Sequence, residues 1–349
     1  MFADRIEAKW IRMFQKVLER CGITEDSFVG IVCETQSREI NVHLVELALG
    51  MIGARHFKLV ATTPPVTTVV PTRSTGTSGA LRGLGPILKG LAPCDMILDL
   101  TMEGMLHSPE LREILGSGVR AMYILNEHPE ALERLSLSDA DVEAIHRNHK
   151  ILAAGRTMRV TSAAGTDLTV DLAGQVPVRI TGIVTEPGTM GHWPGGLVVS
   201  HPAAGAVNGR IVIDTGDINC TFKRYAERPM TLVIESDIIV AVEGEGVDAD
   251  LFRTYSAAWN EVNALTTSHF GWGMAPAARW EALAMYDKAD TNCIEARAFA
   301  GNFLVGIGAS HVAKRDTQNH FDIPLRHTTV MIDDIKVVDQ GVLCFPAKA

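Results

Sequence analysis

The sequence lacks long hydrophobic runs, clustered basic residues and paired cysteines, and each absence excludes a class of protein. No stretch approaches the roughly 20 apolar residues that a membrane-spanning helix needs. The net charge of -9, with no basic run, disfavours binding to nucleic acid or to an anionic membrane surface. The six cysteines contain no Cys-x-x-Cys pair, so neither a zinc knuckle nor a thioredoxin-like redox motif is predicted.

The N-terminus also lacks the pattern of a secretory signal, because charged residues begin at Asp4 and no apolar core follows. The composition, with 46% hydrophobic and 21% charged residues, is that of a globular protein with ample apolar surface to bury. A length of 349 residues suggests about two domains. These features predict a soluble cytoplasmic protein whose cysteines are reduced and mostly buried.

The first 155 residues alternate between strand-like and helical patterns, which indicates a parallel sheet of the βαβ type. An amphipathic helix is predicted at 3–20, and a connection rich in Pro, Thr and Gly at 62–79. Strand-like runs lie at 27–34, 56–61, 96–101 and 120–126. We therefore expect an N-terminal α/β domain over residues 1–155.

From residue 156 onward, strands dominate, and helical patterns return only at 248–262 and 277–285. Strand-like runs lie at 158–161, 167–172, 179–184, 196–200, 209–214, 230–235, 238–242, 298–308, 320–333 and 335–338. The predicted fold class is thus α/β plus α+β, in which a β-rich catalytic domain over residues 156–349 follows the α/β domain.

A candidate metal site lies in this second domain. His320 and Asp322 are two residues apart in a strand-like run, so their side chains leave the strand on the same face. His269 supplies a second imidazole upstream. Two histidines and one carboxylate form the facial arrangement of non-haem Fe(II) oxygenases. The alternative is a structural pair at a strand edge, hydrogen-bonded to backbone or to Arg326.

Two further histidines lie where we expect loops. His107 follows the strand-like run 96–101, at the carboxyl end where parallel sheets bind ligands. His192 lies in a turn-rich segment. For each, the alternative is a loop histidine bonded to backbone. Trp193 and Trp272 are close in sequence to site histidines and are predicted to wall an aromatic pocket, although core packing would explain them equally well.

Several segments, taken together and in order over roughly residues 95–330, resemble the 2,5-dihydroxypyridine 5,6-dioxygenases, which cleave the ring in bacterial nicotinate and nicotine catabolism. They are Leu106-His107-Ser108-Pro109-Glu110, Glu186-Pro187-Gly188 with His192-Trp193-Pro194, Ser268-His269-Phe270-Gly271-Trp272-Gly273, Ala296-Arg297-Ala298-Phe299-Ala300-Gly301-Asn302-Phe303-Leu304 and His320-Phe321-Asp322-Ile323-Pro324-Leu325-Arg326.

The resemblance implies an oxidoreductase in which His269, His320 and Asp322 bind Fe(II), while His107 and His192 contact the substrate or move protons. It also implies a small aromatic substrate and O2 as reactants, and a homo-oligomer. For 2,5-dihydroxypyridine, the implied product is N-formylmaleamate. The chain departs from the family pattern at residue 180, where Ile180 replaces a glutamate, and this leaves the particular hydroxylated ring open.

Other functions remain compatible with the sequence. The dioxygenases resemble thermophilic leucine aminopeptidases, which bind two metal ions. Here Leu304 lies near a position where those enzymes have a histidine, and only Glu186 and Glu295 could add carboxylates to Asp322. A metal-dependent aminopeptidase, a dioxygenase for another hydroxylated ring and a ligand-binding protein with structural histidines are the alternatives.

Overall fold

The computed structural model describes residues 5–65 and 76–345. Residues 3 and 4 of the predicted helix 3–20, and residues 66–75 of the predicted connection 62–79, lie outside the described residues. In the described ranges the α-helices are α1 (Ala8–Arg20), α2 (Glu39–Ile52), α3 (Gly85–Leu91), α4 (Pro109–Gly116), α5 (Pro129–Arg134), α6 (Asp139–Ala154), α7 (Val247–Ala258), α8 (Ala282–Met285) and α9 (Ile294–Ala298).

The strands of the same ranges fall into a mostly N-terminal set and a larger C-terminal set. They are β1 (Phe28–Glu34), β2 (Arg55–Ala61), β3 (Met96–Asp99), β4 (Arg120–Ile124), β5 (Thr157–Ser162), β6 (Asp167–Asp171), β7 (Val176–Ile180), β8 (Met190–Trp193), β9 (Leu197–His201), β10 (Val207–Ile213), β11 (Ile218–Asn219), β12 (Arg224–Tyr225), β13 (Met230–Glu235), β14 (Ile238–Glu243), β15 (Thr267–Gly273), β16 (Phe303–Ser310), β17 (Arg315–Leu325), β18 (Thr328–Ile332), β19 (Ile335–Asp339) and β20 (Val342–Leu343).

The N-terminal part of the chain builds a parallel sheet with the strand order β2-β1-β3-β4-β8. β1 pairs in parallel with β2 and β3, and β4 pairs in parallel with β3 and β8. All four residues of β3 are buried, as expected for a strand that is covered on both faces of its sheet. The prediction of a βαβ-type α/β fold in this region is confirmed.

The last strand of the parallel sheet comes from beyond the predicted boundary at residue 155. β8 lies beside β4, with His192 opposite Tyr123. The prediction that His192 lies in a turn-rich loop was therefore wrong. The glycines before it favour turns, but the open edge of β4 offers backbone hydrogen bonds that a short strand satisfies. The N-terminal sheet thus includes a strand from the segment that we had assigned to the second domain.

The C-terminal part of the chain forms antiparallel sheets, so the prediction of a β-rich region is confirmed. One sheet has the order β14-β13-β10-β6-β5-β18-β19-β20, and a second has the order β17-β16-β15-β9-β7. β11 and β12 form a small ribbon. The second sheet contains both β15, which carries His269, and β17, which carries His320 and Asp322.

The two faces of this second sheet differ because successive side chains of a strand point to opposite sides. One face carries Phe270, Trp272 and Phe321, which are fully buried in the main hydrophobic core. Helix α6 packs against β7 and β9, and Asn148 of α6 accepts a hydrogen bond from the Trp272 indole. The other face carries the candidate metal ligands. Across residues 5–65 and 76–345, no helix combines the length and apolarity needed to cross a bilayer.

Candidate active site

The register of three neighbouring strands brings the candidate metal ligands together. β16 lies between β15 and β17, and its Gly306 is opposite both His269 and Asp322. The His269 ring lies directly over this glycine: a Cβ added at Gly306 would come within 2.2 Å of the imidazole. A glycine is therefore required at 306, and we call His269, Gly306, His320 and Asp322 the metal wall.

The three ligand side chains of the metal wall converge on one point. Asp322 Oδ1 lies 3.2 Å from His269 Nε2 and 3.2 Å from His320 Nε2. The candidate ligand atoms all lie within 4.8 Å of one another, and all three residues are buried. Yet Asp322 Oδ1 accepts no hydrogen bond of acceptable geometry from any described residue. A buried carboxylate oxygen surrounded by imidazole nitrogens is an arrangement that a cation would satisfy.

A neighbouring serine fixes which nitrogen of His269 faces this point. Ser268 Oγ donates its hydrogen to the backbone carbonyl of Ala309, so its oxygen can only accept from His269 Nδ1, which lies 3.3 Å away. The proton of neutral His269 is therefore assigned to Nδ1, and the lone pair of Nε2 points at Asp322. A second hydrogen bond that sets the tautomer in this way is typical of metal-binding histidines.

The carboxylate of Asp322 is held in its charged form. Burial alone would raise its pKa, but His320 and the Arg297 guanidinium lie beside it and keep the pKa well below its usual range. Arg297 Nε donates to Asp322 Oδ2 over 2.5 Å, which leaves Oδ1 for a metal ion. The alternative of a structural pair bonded to Arg326 is wrong, because the Arg326 guanidinium lies beside Asp217 instead.

These residues fit a divalent transition-metal ion. Two imidazole nitrogens and one carboxylate oxygen are a donor set that suits Fe(II), and three protein ligands leave coordination positions for reactants. Such an ion would give the orphaned Asp322 Oδ1 a partner and would accept the lone pair of His269 Nε2. His269, His320 and Asp322 are the residues that could hold it.

His107 lies across the cavity from the metal wall, on the loop that follows β3. Its ring centroid is 5.1 Å from that of His320. Asp99, at the end of β3, shapes this loop by accepting hydrogen bonds from Thr101 N at 2.9 Å and from Met105 N at 2.7 Å. Burial, and then the neighbouring His320, lower the pKa of His107 well below its ordinary value.

His192 reaches the same cavity from β8, and with His107 it forms what we call the facing wall. Its Nδ1 lies 2.7 Å from the backbone carbonyl of Pro194, so Nδ1 carries the proton and donates to that oxygen. Nε2 is then left as a hydrogen-bond acceptor. Burial lowers the pKa of His192 to about 4 despite the Pro194 contact, so the imidazole is neutral at ordinary pH.

The two walls enclose a cavity of about 210 Å³, with an apolar floor. This is below the roughly 300–1,000 Å³ of pockets for drug-sized ligands, and it suits a molecule with a single ring. Val178, Ile180, Leu197 and Val199 line it, with Val178 opposite Val199 and Ile180 opposite Leu197 across the β7–β9 pair. These apolar side chains adjoin the metal wall on the same sheet face and keep water from part of the cavity.

The prediction that Trp193 and Trp272 wall the pocket is corrected. Neither lines the cavity. Trp193 packs edge-on against Phe14 of α1 at a centroid separation of 4.9 Å, and Trp272 is fully buried behind the sheet. Trp193 directly follows His192 in a strand, and Trp272 is three residues after His269. An odd offset along a strand places a side chain on the opposite face.

Sequence analysis missed several polar residues of the cavity, among them two histidines and an arginine close to the metal wall. His201 lies beside the metal wall, with its ring centroid 5.4 Å from that of His269, and His311 is 5.2 Å from His201. Arg297, on α9, is the third. His201 lies on β9 directly across from β15, so correct strand pairing would have predicted it. No local pattern points to Arg297 or His311.

The carboxylates considered for a second metal ion do not reach the site. Glu295 is buried, but it pairs with Arg134 and accepts a hydrogen bond from Arg279 N at 2.8 Å. Glu186 is exposed in the turn before β8. Among the described residues, His269, His320 and Asp322 form the one group of three or more side chains with metal-ligand spacing.

Comparison with known proteins gives the family. The sequence model of the family described as 2,5-dihydroxypyridine 5,6-dioxygenase matches residues 9–345. A curated relative of that name from Pseudomonas putida KT2440 is 32% identical over 346 residues, covering 98% of each chain. A solved structure of 2,5-dihydroxypyridine dioxygenase from Pseudomonas putida KT2440 superposes with a TM-score of 0.92 at 30% identity, covering 99% of both chains.

A more distant similarity concerns the fold alone. The solved structure of wild-type AmpT from Thermus thermophilus superposes with a TM-score of 0.61 at 14% identity, covering 95% of this chain and 99% of that one. The expected relation to aminopeptidase-like folds is thereby confirmed. The family match over nearly the whole chain and the close relative agree with each other: this chain belongs to the 2,5-dihydroxypyridine 5,6-dioxygenase family.

Proposed function

We propose that the protein is an Fe(II)-dependent dioxygenase that opens the ring of a hydroxylated pyridine in an extradiol-type reaction. The substrate that we propose is 2,5-dihydroxypyridine, with N-formylmaleamate as the product, in the catabolism of nicotinate or nicotine. The observation that carries the proposal is the convergence of His269 Nε2, His320 Nε2 and the orphaned Asp322 Oδ1 on one point of a buried cavity.

Fe(II), when bound, would supply a Lewis acid for the substrate hydroxyl and the redox chemistry that O2 needs. Two neutral imidazoles and one carboxylate leave the ion with a net positive charge, which favours the hydroxyl as its anion. Three protein ligands leave room for both reactants. A complete turnover then adds both atoms of O2 to the ring-opened product and consumes no external reductant.

His192 is the residue that we propose as the base. Its Nδ1 is engaged by Pro194, and its Nε2 is an acceptor at neutral pH because burial lowers the pKa to about 4. It can therefore accept a hydrogen bond from the substrate hydroxyl, and it would take the proton where a bound Fe(II) makes that hydroxyl more acidic. A positioned base of this kind typically contributes about 10²- to 10⁴-fold to the rate.

His107 is proposed as the second group that contacts the substrate. It lies on the facing wall within 5.1 Å of the His320 ring, measured between centroids, so a ring bound at the metal wall lies within its reach. The apolar floor formed by Val178, Ile180, Leu197 and Val199 would pack against the part of the ring that is remote from the hydroxyl. It also excludes water that would compete with O2 for the metal.

The first experiment is anaerobic reconstitution with Fe(II), followed by measurement of oxygen uptake when 2,5-dihydroxypyridine is added. We expect uptake in a one-to-one ratio with loss of the substrate's ultraviolet band. The matched control is the same protein loaded with Zn(II), which does not change oxidation state and should consume no oxygen.

Other outcomes separate the alternatives. No uptake by the iron-loaded protein would contradict this substrate, and other hydroxylated pyridines or benzenes would then be tested. Failure to bind iron, together with peptide hydrolysis in the presence of Zn(II) or Co(II), would favour an aminopeptidase. We further propose cytoplasmic location and homo-oligomeric assembly, and sedimentation of the purified protein would test the assembly.

A further inference from the structure

The two carboxylate oxygens of Asp322 have different environments. Oδ1 faces the Nε2 atoms of His269 and His320, whereas Oδ2 accepts a hydrogen bond from Arg297 Nε at 2.5 Å. The Arg297 side chain is about 10% exposed and lines the cavity. A buried cation therefore lies one carboxylate group away from the point where the metal ligands converge.

The position of Arg297 is fixed by contacts on both its side chain and its backbone. Its guanidinium donates to the backbone carbonyl of Asn292 and to Asn292 Oδ1, the latter over 3.1 Å. Asn302 Nδ2 donates to the backbone carbonyls of Arg297 at 2.8 Å and Phe299 at 3.0 Å, and so holds the end of α9. A planar guanidinium can donate to Asp322 and to Asn292 at once, through nitrogens held in a rigid fork. An ammonium group cannot reproduce this forked arrangement of donors.

We propose that Arg297 is a positioning residue for the metal: it restricts Asp322 to coordination through Oδ1, and its charge makes the metal site bind anions more tightly and favours Fe(II) over Fe(III). This inference rests on the proposed iron-dependent function. Fe(II) with one carboxylate and two neutral imidazoles carries one net positive charge, and Arg297 adds another within the same buried region. In a water-excluded site, such a charge acts strongly on any ligand that arrives as an anion.

The direction of the effect follows from electrostatics. A fixed positive charge destabilises Fe(III) more than Fe(II), because the ferric ion carries one more charge to repel it. The same charge attracts a hydroxyl that binds as its anion. At an effective dielectric constant of about 20, two unit charges separated by one carboxylate group interact strongly enough to change anion affinity on the order of tenfold to a hundredfold.

The test compares Arg297→Gln, which removes the charge, with Arg297→Lys, which keeps the charge but not the fork. Iron content is measured first. The Fe(III)/Fe(II) midpoint potential and the binding of azide to the ferric protein, followed by its charge-transfer band, are then measured for each protein. We expect Arg297→Gln to shift the potential to more negative values and to weaken azide binding about tenfold or more. Arg297→Lys should remain close to wild type in both midpoint potential and azide affinity, because it keeps the positive charge.

Asn292→Asp provides a second variant that leaves Arg297 in place. A carboxylate beside the guanidinium would offset its charge with little change in shape, so we expect smaller shifts in the same directions. If both Arg297 variants fail to fold or to bind iron, this variant still shows whether the charge of Arg297 affects the potential and the azide affinity. Wild-type values of potential and azide affinity in an iron-loaded Arg297→Gln or Asn292→Asp protein would overturn the proposal. Equal losses in the Lys and Gln variants would overturn its electrostatic part, because Lys keeps the charge.

The failure of this inference can be distinguished from failure of the proposed function. Wild-type protein that binds iron but does not consume oxygen with any hydroxylated ring contradicts the function alone, and the azide comparison still decides the role of Arg297. Wild-type protein that binds no iron contradicts both.

Discussion

The two walls of the cavity are built in different ways. The metal wall lies on adjacent antiparallel strands, where register fixes His269, Gly306 and Asp322 against one another. The facing wall takes His107 from a loop and His192 from a short strand at the edge of the parallel sheet. The difference indicates that the geometry of the proposed metal ligands depends on strand register. The histidines proposed to move protons lie on elements with fewer backbone constraints. The predictions below test this division of roles.

The largest effect is expected from Asp322→Ala in the metal wall. The change removes the charged ligand, so we expect loss of both bound iron and oxygen uptake. Metal analysis after reconstitution and an oxygen electrode measure these losses. His201→Asn, which alters a neighbouring imidazole outside the wall, should retain iron. An Asp322→Ala protein that kept both iron and activity would show that the ligand assignment is wrong.

Gly306→Ala should weaken iron binding nearly as much, although it changes no proposed ligand. The new Cβ would lie 2.2 Å from the His269 ring, so the ring must move away from the metal position. We expect iron affinity to fall by more than the roughly 10- to 100-fold typical of losing an outer contact. Leu304→Ala, two residues earlier on the same face, is the control and should bind iron one to one. Wild-type affinity in Gly306→Ala would contradict the role of register.

His192→Asn in the facing wall should have the opposite signature. We expect iron to remain bound while turnover falls by about 10²- to 10⁴-fold, because the proposed base is lost but no ligand is. Single-turnover kinetics of the iron-loaded protein measure this. Trp193→Phe, on the other face of the same strand, should keep its turnover. Loss of iron in His192→Asn would contradict the assignment of metal binding to the metal wall alone.

A smaller effect is expected from Ser268→Ala, which tests the support behind the metal wall. Without the hydroxyl, the Nδ1 proton of His269 loses its acceptor and the tautomer is no longer set. Iron affinity should fall roughly 10- to 100-fold, with little change in turnover at saturating iron. Competition with a chelator measures the affinity. Ser200→Ala, another buried serine of the same sheet, is the control, and equal effects of the two changes would rule out a specific role for Ser268.

The smallest effect concerns pH. Burial places the pKa of His192 at about 4, so its acceptor nitrogen is lost only as pH falls through that value. Between pH 7 and 5.5, kcat/KM per bound iron should therefore fall less than about threefold, whereas an ordinary histidine would be roughly nine-tenths protonated at the lower pH. A decline centred near pH 6.5 in protein that retains its iron would contradict this assignment.

The sequence predicted the helices and strands best where periodicity was strong. β1 and the hairpin of β5 and β6 are rich in β-branched residues and have clear boundaries. β15 was missed as a strand, because its serine, histidine and glycines resemble a loop. The structure explains the glycines: a Cβ at Gly271 would lie 2.1 Å from the carbonyl of Val198 in the neighbouring strand. Close approach between strands is a long-range property that no local pattern reveals.

The same limit applies to the cavity. The i and i+2 spacing of His320 and Asp322 was sufficient to predict that they share a face, and both contribute to the metal wall. The placement of Trp193 and Trp272 followed from proximity in sequence, and it was wrong because strand alternation sends them to the opposite face. Arg297 could not be predicted, since it reaches Asp322 only through the packing of α9 against β17.

The strand that β8 adds to the parallel sheet has a consequence for the order in which the protein forms during translation. The ribosome releases β4 well before it synthesises residues 190–193, so the edge of β4 stays unpaired while the intervening segment is made. An open strand edge is a site for non-native pairing. A nascent chain that stops near residue 155 therefore lacks the protection of that edge, and of the two cavity walls it contains only His107.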